Sequence, residues 1–233
     1  MRLRLLRIRS RLLLALITFA VFVLIFRLTL NSRDESGHKK EIVCHHSPDS
    51  RSKLFELLYR TKKALDSLRV SYFLCYNSLW GALKKKEAFP WLPYVELCLL
   101  NEEISNFDET FVFRTFKREG LLIEYSSSDG VYTVTTFNGS DPFAKLIIFE
   151  ENQVINQYRR VGWKNRLIPP DSCSLIHCFP PRLIEKPLET VTFMGVELPV
   201  PREEIEILKY LFPNDWWKDL EPEECKEKEN LNF

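Results

Sequence analysis

Glu96 is the one acid inside the apolar run from Tyr94 to Leu100. A carboxylate in that setting has two readings. It can contact a divalent metal, completed by phosphate and water, or it can be a strand charge paired with a lysine. Nineteen residues earlier Asn77 and Ser78 open a short helical stretch through Leu83. Backbone N–H groups at a helix start, with short polar side chains, suit a phosphate. Gly81 in that stretch either lines a site or permits close packing. Trp80 and Trp91 are core residues or sugar platforms. Lys84, Lys85 and Lys86 form a solvated face or an unspecific phosphate contact.

Other residue types raise other chemistry. Cys173 and Cys178 flank His177 and could ligate zinc, pair with each other or be buried separately. The spacing of a four-ligand zinc site is missing, and a short loop rich in Pro and Ser favours the disulfide. Cys44-His45-His46 meets the same objection. The other cysteines are Cys75, Cys98 and Cys225, an even total that permits full pairing in an oxidising compartment. Asn138-Gly139-Ser140 is a glycosylation sequon.

The elements that must position these groups follow from periodicity. Residues 50–68 repeat Leu54, Leu57, Leu58, Ala64 and Leu65 at helical spacing, with Ser47 or Asp49 as cap. Val70–Cys75 and Tyr94–Leu100 read as strands. Residues 107–119 suit a helix ending at Gly120. Leu121–Tyr125 and Val131–Thr136 form a hairpin around Ser128-Asp129-Gly130, and Leu146–Phe149 is a buried strand. Residues 160–189 are rich in proline and irregular. Val191–Phe193 and Val196–Pro199 make a second hairpin, and Pro201 starts a helix through Leu211. Strands, hairpins and helices alternate, so the class is α/β, or α+β, with a mixed sheet.

The N-terminus differs from the rest. Arg2, Arg4, Arg7, Arg9 and Arg11 precede the uncharged run Leu12–Phe26. With Arg27 at the interface, residues 12–30 are long enough to span a bilayer. A cleaved signal peptide would share the basic start but needs a small-residue cleavage site, which Arg27 to Asn31 do not make. A buried core helix would need a polar face. The expected order is a cytosolic tail at 1–11, a signal anchor at 12–30, a polar stem at 31–49, a lumenal domain at 50–218 and an acidic tail at 219–233. The arginines place the tail at 1–11 in the cytosol, making a type II protein of the Golgi or endoplasmic reticulum. Net charge is +1, so nothing suggests a nucleic-acid partner.

Three stretches together resemble the LicD/fukutin family of phospho-sugar and phosphocholine transferases. Tyr72-Phe73-Leu74 with Asn77-Ser78-Leu79-Trp80-Gly81-Ala82 is similar to the family's strand and Gly-Thr-Leu-Leu-Gly-Ala turn. Phe89-Pro90-Trp91 is similar to its Pro-Trp element. Phe193 to Pro201, then Tyr210-Leu211 and Asp215-Trp216, resemble its C-terminal element. The resemblance implies a nucleotidyltransferase-like fold from about residue 52 to about residue 218, with Cys75 and Cys98 on neighbouring strands, either paired or as buried thiols. It implies a CDP-linked donor, a glycan or glycoprotein acceptor, and Mg²⁺ or Mn²⁺ held by alternating acids. It places Asn77, Ser78, Gly81 and Trp91 at substrate and Glu96 at the metal, in one pocket. The chain departs from the family at the acids. Tyr94 stands at the first carboxylate position, and Leu146–Phe149 carries none. The resemblance with these losses implies impaired or lost metal-dependent catalysis. The alternatives are an active transferase with an altered metal site, or a noncatalytic module that binds a glycan or a partner.

Overall fold

The computed structural model describes residues 18–23, 43–166, 177–218, 221–223 and 225. The chain divides into two units, residues 1–42 and 43–233. In the first, residues 18–23 are helical; the remainder of the 12–30 segment lies outside the described residues. Among the described residues no helix is long and apolar enough to cross a membrane.

The second unit opens with helix α1, Pro48–Leu68. Ser47 Oγ accepts from the Ser50 N–H at 3.2 Å, and Pro48 occupies the first turn, where its missing N–H costs nothing. Leu54, Leu57, Leu58, Thr61, Ala64, Leu65 and Leu68 form the buried stripe. Strand β1, Tyr72–Leu74, leads into helix α2, Tyr76–Lys85. Strand β2, Tyr94–Leu100, follows, then the short α3, Asn101–Ile104, and α4, Glu109–Arg118. Asp108 caps α4 by accepting from the Thr110 N–H at 2.8 Å.

Strands β3, Leu121–Ser126, and β4, Val131–Thr136, make the expected hairpin. Strand β5, Gly139–Asn152, is far longer than the apolar run at 146–149 suggests. Its first half is held between two neighbours, so polar residues such as Lys145 are carried in the strand by pairing rather than by propensity. Strand β6, Gln157–Arg160, pairs with the end of β5. A helical turn α5, Trp163–Arg166, and a 3₁₀ turn, Pro181–Ile184, lie in the proline-rich stretch. Hairpin β7, Glu189–Phe193, and β8, Val196–Val200, forms a second sheet. Helix α6, Glu204–Leu211, starts three residues after Pro201, so that proline precedes the helix rather than opening it.

The main sheet has the order β1-β2-β5-β4-β3, with β6 on β5. Strands β2 and β5 are parallel and the other neighbours antiparallel. The fold is therefore α/β with a mixed sheet. Val95, Leu97 and Leu99, with Ala144, Leu146 and Ile148 beside them, point to one face and are buried. Tyr94 and Glu96, with Phe143 and Lys145, point to the other. Fully buried Phe116, Phe149, Phe179 and Phe193 contribute about 1.5–3 kcal/mol each by leaving water.

Two disulfides bracket the architecture. Cys75 and Cys98 are joined across β1 and β2, with Cα atoms 5.8 Å apart. Cys44 is joined to Cys225, Cα atoms 5.4 Å apart. The second bond fixes one point in the acidic stretch, because Cys225 is buried and joined to Cys44. It also removes Cys44 as a zinc ligand. Cys178 is disulfide-bonded, while Cys173 lies outside the described residues.

A candidate site closed on Glu96

Helix α2 begins at a junction whose own cap is missing: Cys75, the residue before it, offers no side-chain hydrogen bond. The first N–H groups of a helix need acceptors. Glu96 supplies one from the neighbouring strand. Its Oε2 accepts from the Asn77 backbone N–H at 3.0 Å and from Asn77 Nδ2 at 3.1 Å. In return Ser78 Oγ accepts from the Glu96 N–H at 2.7 Å. The carboxylate thus sits at the positive end of α2 and locks that helix to β2.

The other carboxylate oxygen has a cation. Lys145 is the register partner of Glu96 on β5, and its Nζ lies 3.7 Å from Oε1. The same ammonium lies 3.8 Å from the centre of the Tyr94 ring, which stacks on Phe143 at 5.1 Å. Glu96 is only 5% exposed, whereas the Lys145 side chain is 32% exposed. Burial pushes the Glu96 carboxyl above its ordinary range; Lys145, the Asn77 donors and Arg160 pull it back without cancelling the rise.

A second polar group adjoins this one. The Tyr76 hydroxyl lies 2.8 Å from His177 Nδ1, and burial pushes the phenol up, opposed by the Arg160 charge. Burial, then Arg160, lowers His177. Among the described residues the buried Arg160 Nε has no hydrogen-bond partner. Tyr94 is pushed up to about 12, mainly by burial and then by Glu96.

The expected site residues separate. Glu96, Asn77 and Ser78 come together, but closed on one another rather than lining an open pocket. Gly81 is a packing residue, since a Cβ there would meet the Glu87 carbonyl oxygen at 2.5 Å. Trp91 stacks on Phe89 at 4.9 Å and takes no part in the hydrogen-bonded group around Glu96. Asn138 is exposed in the β4–β5 turn. His177 Nδ1 faces the Tyr76 hydroxyl, and Cys178, being disulfide-bonded, is removed as a zinc ligand.

A divalent metal does not fit these residues. One oxygen of Glu96 faces two N–H donors and the other faces an ammonium, so the carboxylate's charge is already met. Two of the acids that could rebuild a metal site beside Glu96, Glu150 and Asp129, are engaged elsewhere; Glu151 is the third. Glu150 pairs with Arg159 and Arg166 at 3.3 and 3.4 Å, and Asp129 with Lys164 at 3.0 Å. Among the described residues no group of three metal-ligating side chains occurs.

Sequence reasoning missed Lys145 and Arg160. Lys145 lies two residues before Ile147, on the same face, and reading β5 back from its apolar end would have exposed it. Arg160 had no such signal, because it lies on a strand hidden in an irregular stretch.

The search of curated proteins finds no match to this chain. The LicD/FKTN/FKRP nucleotidyltransferase domain, however, matches residues 69–203, more than half of the chain and all of β1 through β8. The matched stretch contains Asn77, Glu96, Lys145 and Arg160, and the chain belongs to the LicD/FKTN/FKRP family of nucleotidyltransferase domains.

Proposed function

We propose that this protein is a lumenal LicD-type relative of the transferases that move phospho-sugars or phosphocholine in glycosylation, and that it works without metal-dependent transfer. The observation that carries this reading is Lys145. An ammonium, fixed to the protein, stands against the one acid that would otherwise hold Mg²⁺ or Mn²⁺. A lysine supplies one positive charge and no vacant coordination position, so it cannot act as a Lewis acid toward a phosphate. Glu96 serves as an external cap for α2 and not as a catalytic base or metal ligand.

What remains is a binding face. Tyr94, Phe143, Lys145 and Thr133 are half-buried on one side of the sheet. Aromatic rings beside a cation suit a glycan or an anionic group on a partner. In this reading residues 12–30 anchor the chain in the Golgi or endoplasmic reticulum, with the arginines cytosolic and the family domain in the lumen.

The test is transfer by the purified full chain from CDP-linked ribitol phosphate or phosphocholine to a glycan acceptor, with Mg²⁺ or Mn²⁺ from micromolar to millimolar. The expected result is no turnover above a heat-denatured control. Metal-dependent transfer that Glu96→Gln abolishes would establish the active-enzyme reading instead.

A further inference from the structure

A groove separates α1 from the β4–β5 turn on the main domain. Its volume is about 370 Å³, and Lys53, Glu56, Arg60, Phe137, Asn138 and Asp141 are among the residues that line it. Asn138 is exposed, in the sequon Asn138-Gly139-Ser140, which has no proline in the middle position. Phe137 beside it is 51% exposed. Arg60 pairs with Glu56 along the α1 side. Gly120 clears the floor: a Cβ there would meet Arg60 Nη1 at 2.9 Å, and its φ of +74° is one that glycine adopts without strain.

We propose that an N-linked glycan on Asn138 lies in this groove and fastens the β4–β5 turn to α1. Attachment is by displacement: the Asn138 amide nitrogen bonds to the anomeric carbon of the first sugar, a lipid pyrophosphate leaves, and the amide gives up one proton. The donor is the lipid-linked oligosaccharide of the secretory pathway, so this inference rests on the lumenal placement proposed above. Once attached, the first sugars are delivered to the groove by their own tether, at an effective concentration no free saccharide would reach. Lys53, Glu56, Arg60 and Asp141 supply donors and acceptors for hydroxyl and acetamido groups. The Phe137 ring supplies an apolar face for the sugar's C–H side.

Two positions on the same chain separate the placement from the seating. Val154 is 90% exposed in the β5–β6 turn, and Val154→Ser completes a sequon at Asn152, which is not among the residues that line this groove. The full chain is expressed in a glycosylating secretory host as wild type, as Asn138→Gln with Val154→Ser, and as Phe137→Ser. Native and denatured samples are treated with a peptide N-glycosidase, and glycan release is followed by mass. The expected result is a wild-type glycan released about tenfold more slowly from native protein than the Asn152 glycan, because release requires local opening. Phe137→Ser is expected to speed that release, and denaturation to equalise all rates. Equal native rates at the two positions overturn the seating. A glycan at Asn152 with none at Asn138 overturns the modification while leaving the lumenal placement intact. No glycan at either position overturns both.

Discussion

Replacing Lys145 with methionine strips the buried Glu96 of its counter-charge while keeping a stem of similar length. At 3.7 Å and an effective dielectric constant of about 20, the gross attraction is about 4.5 kcal/mol. One third of the lysine side chain meets water, so solvent replaces part of this, and the net cost should be about 2 kcal/mol at pH 8. The pH dependence has a defined sign. An acid whose folded pKa is raised keeps its proton longer in the folded chain than in the unfolded one. Stability therefore falls as pH climbs from the ordinary value of 4.5 through the folded one, and levels off above it. Lys145→Met raises the folded value further, so its cost should grow through that window and shrink well below about 1 kcal/mol near pH 4.5. The assay is urea unfolding of wild type, Lys145→Met, Glu96→Gln and the double variant at several pH values. In the Glu96→Gln background Lys145→Met should lose most of its cost, leaving chiefly the contact with Tyr94. An equal cost of Lys145→Met in both backgrounds at pH 8 would refute the claim that this ammonium neutralises Glu96.

Gly81→Ala should destabilise by about 1–3 kcal/mol in the same urea assay, because the new methyl meets the Glu87 carbonyl and not a yielding side chain. Asp129 is lowered to about 2 by hydrogen bonds from Ser128, Lys164 and Ser126. Its contribution is present above the unfolded value of 3.8 and fades as pH falls toward 2, so Asp129→Asn should flatten the acid limb of a thermal-stability profile there. Cys98→Ser should lower unfolding stability by about 2–4 kcal/mol, and reduction of wild type at Cys75–Cys98 should cost a similar amount. Addition of millimolar Mn²⁺ should leave the wild-type melting temperature unchanged, since neither oxygen of Glu96 is available to it.

Local chemistry made much of this fold legible. The leucine stripe of α1, the Ser128-Asp129-Gly130 turn and the apolar run of β2 each specify their element without help from distant residues. Strand β5 was legible only in part, because its polar half is held by neighbours on both sides and carries no strand signature of its own. Glu96 presented two roles to sequence reasoning, metal contact and lysine partner. The choice depended on a register between β2 and β5 that no local pattern encodes. The capping of α2 was equally hidden. A helix whose preceding residue is Cys75 looks uncapped until a carboxylate nineteen residues beyond Asn77 is folded against it. The Cys44–Cys225 bond encloses the whole family domain at residues 69–203, and cysteine spacing alone does not choose it.

That bond also alters how the domain carries force and damage. Everything between Cys44 and Cys225 forms a covalent ring with 181 residues of sequence separation. A protease that nicks an exposed turn within the ring opens it without releasing a fragment, so damage at a loop tip does not by itself shed part of the domain. Tension applied along the polypeptide from residues before Cys44 reaches the sulfur bridge at once and divides between the first helix and the final turn. The strands around Glu96 are then not the first elements to be pulled in line. Reduction of that one bond would open the large ring at its two ends while the smaller Cys75–Cys98 loop stays closed.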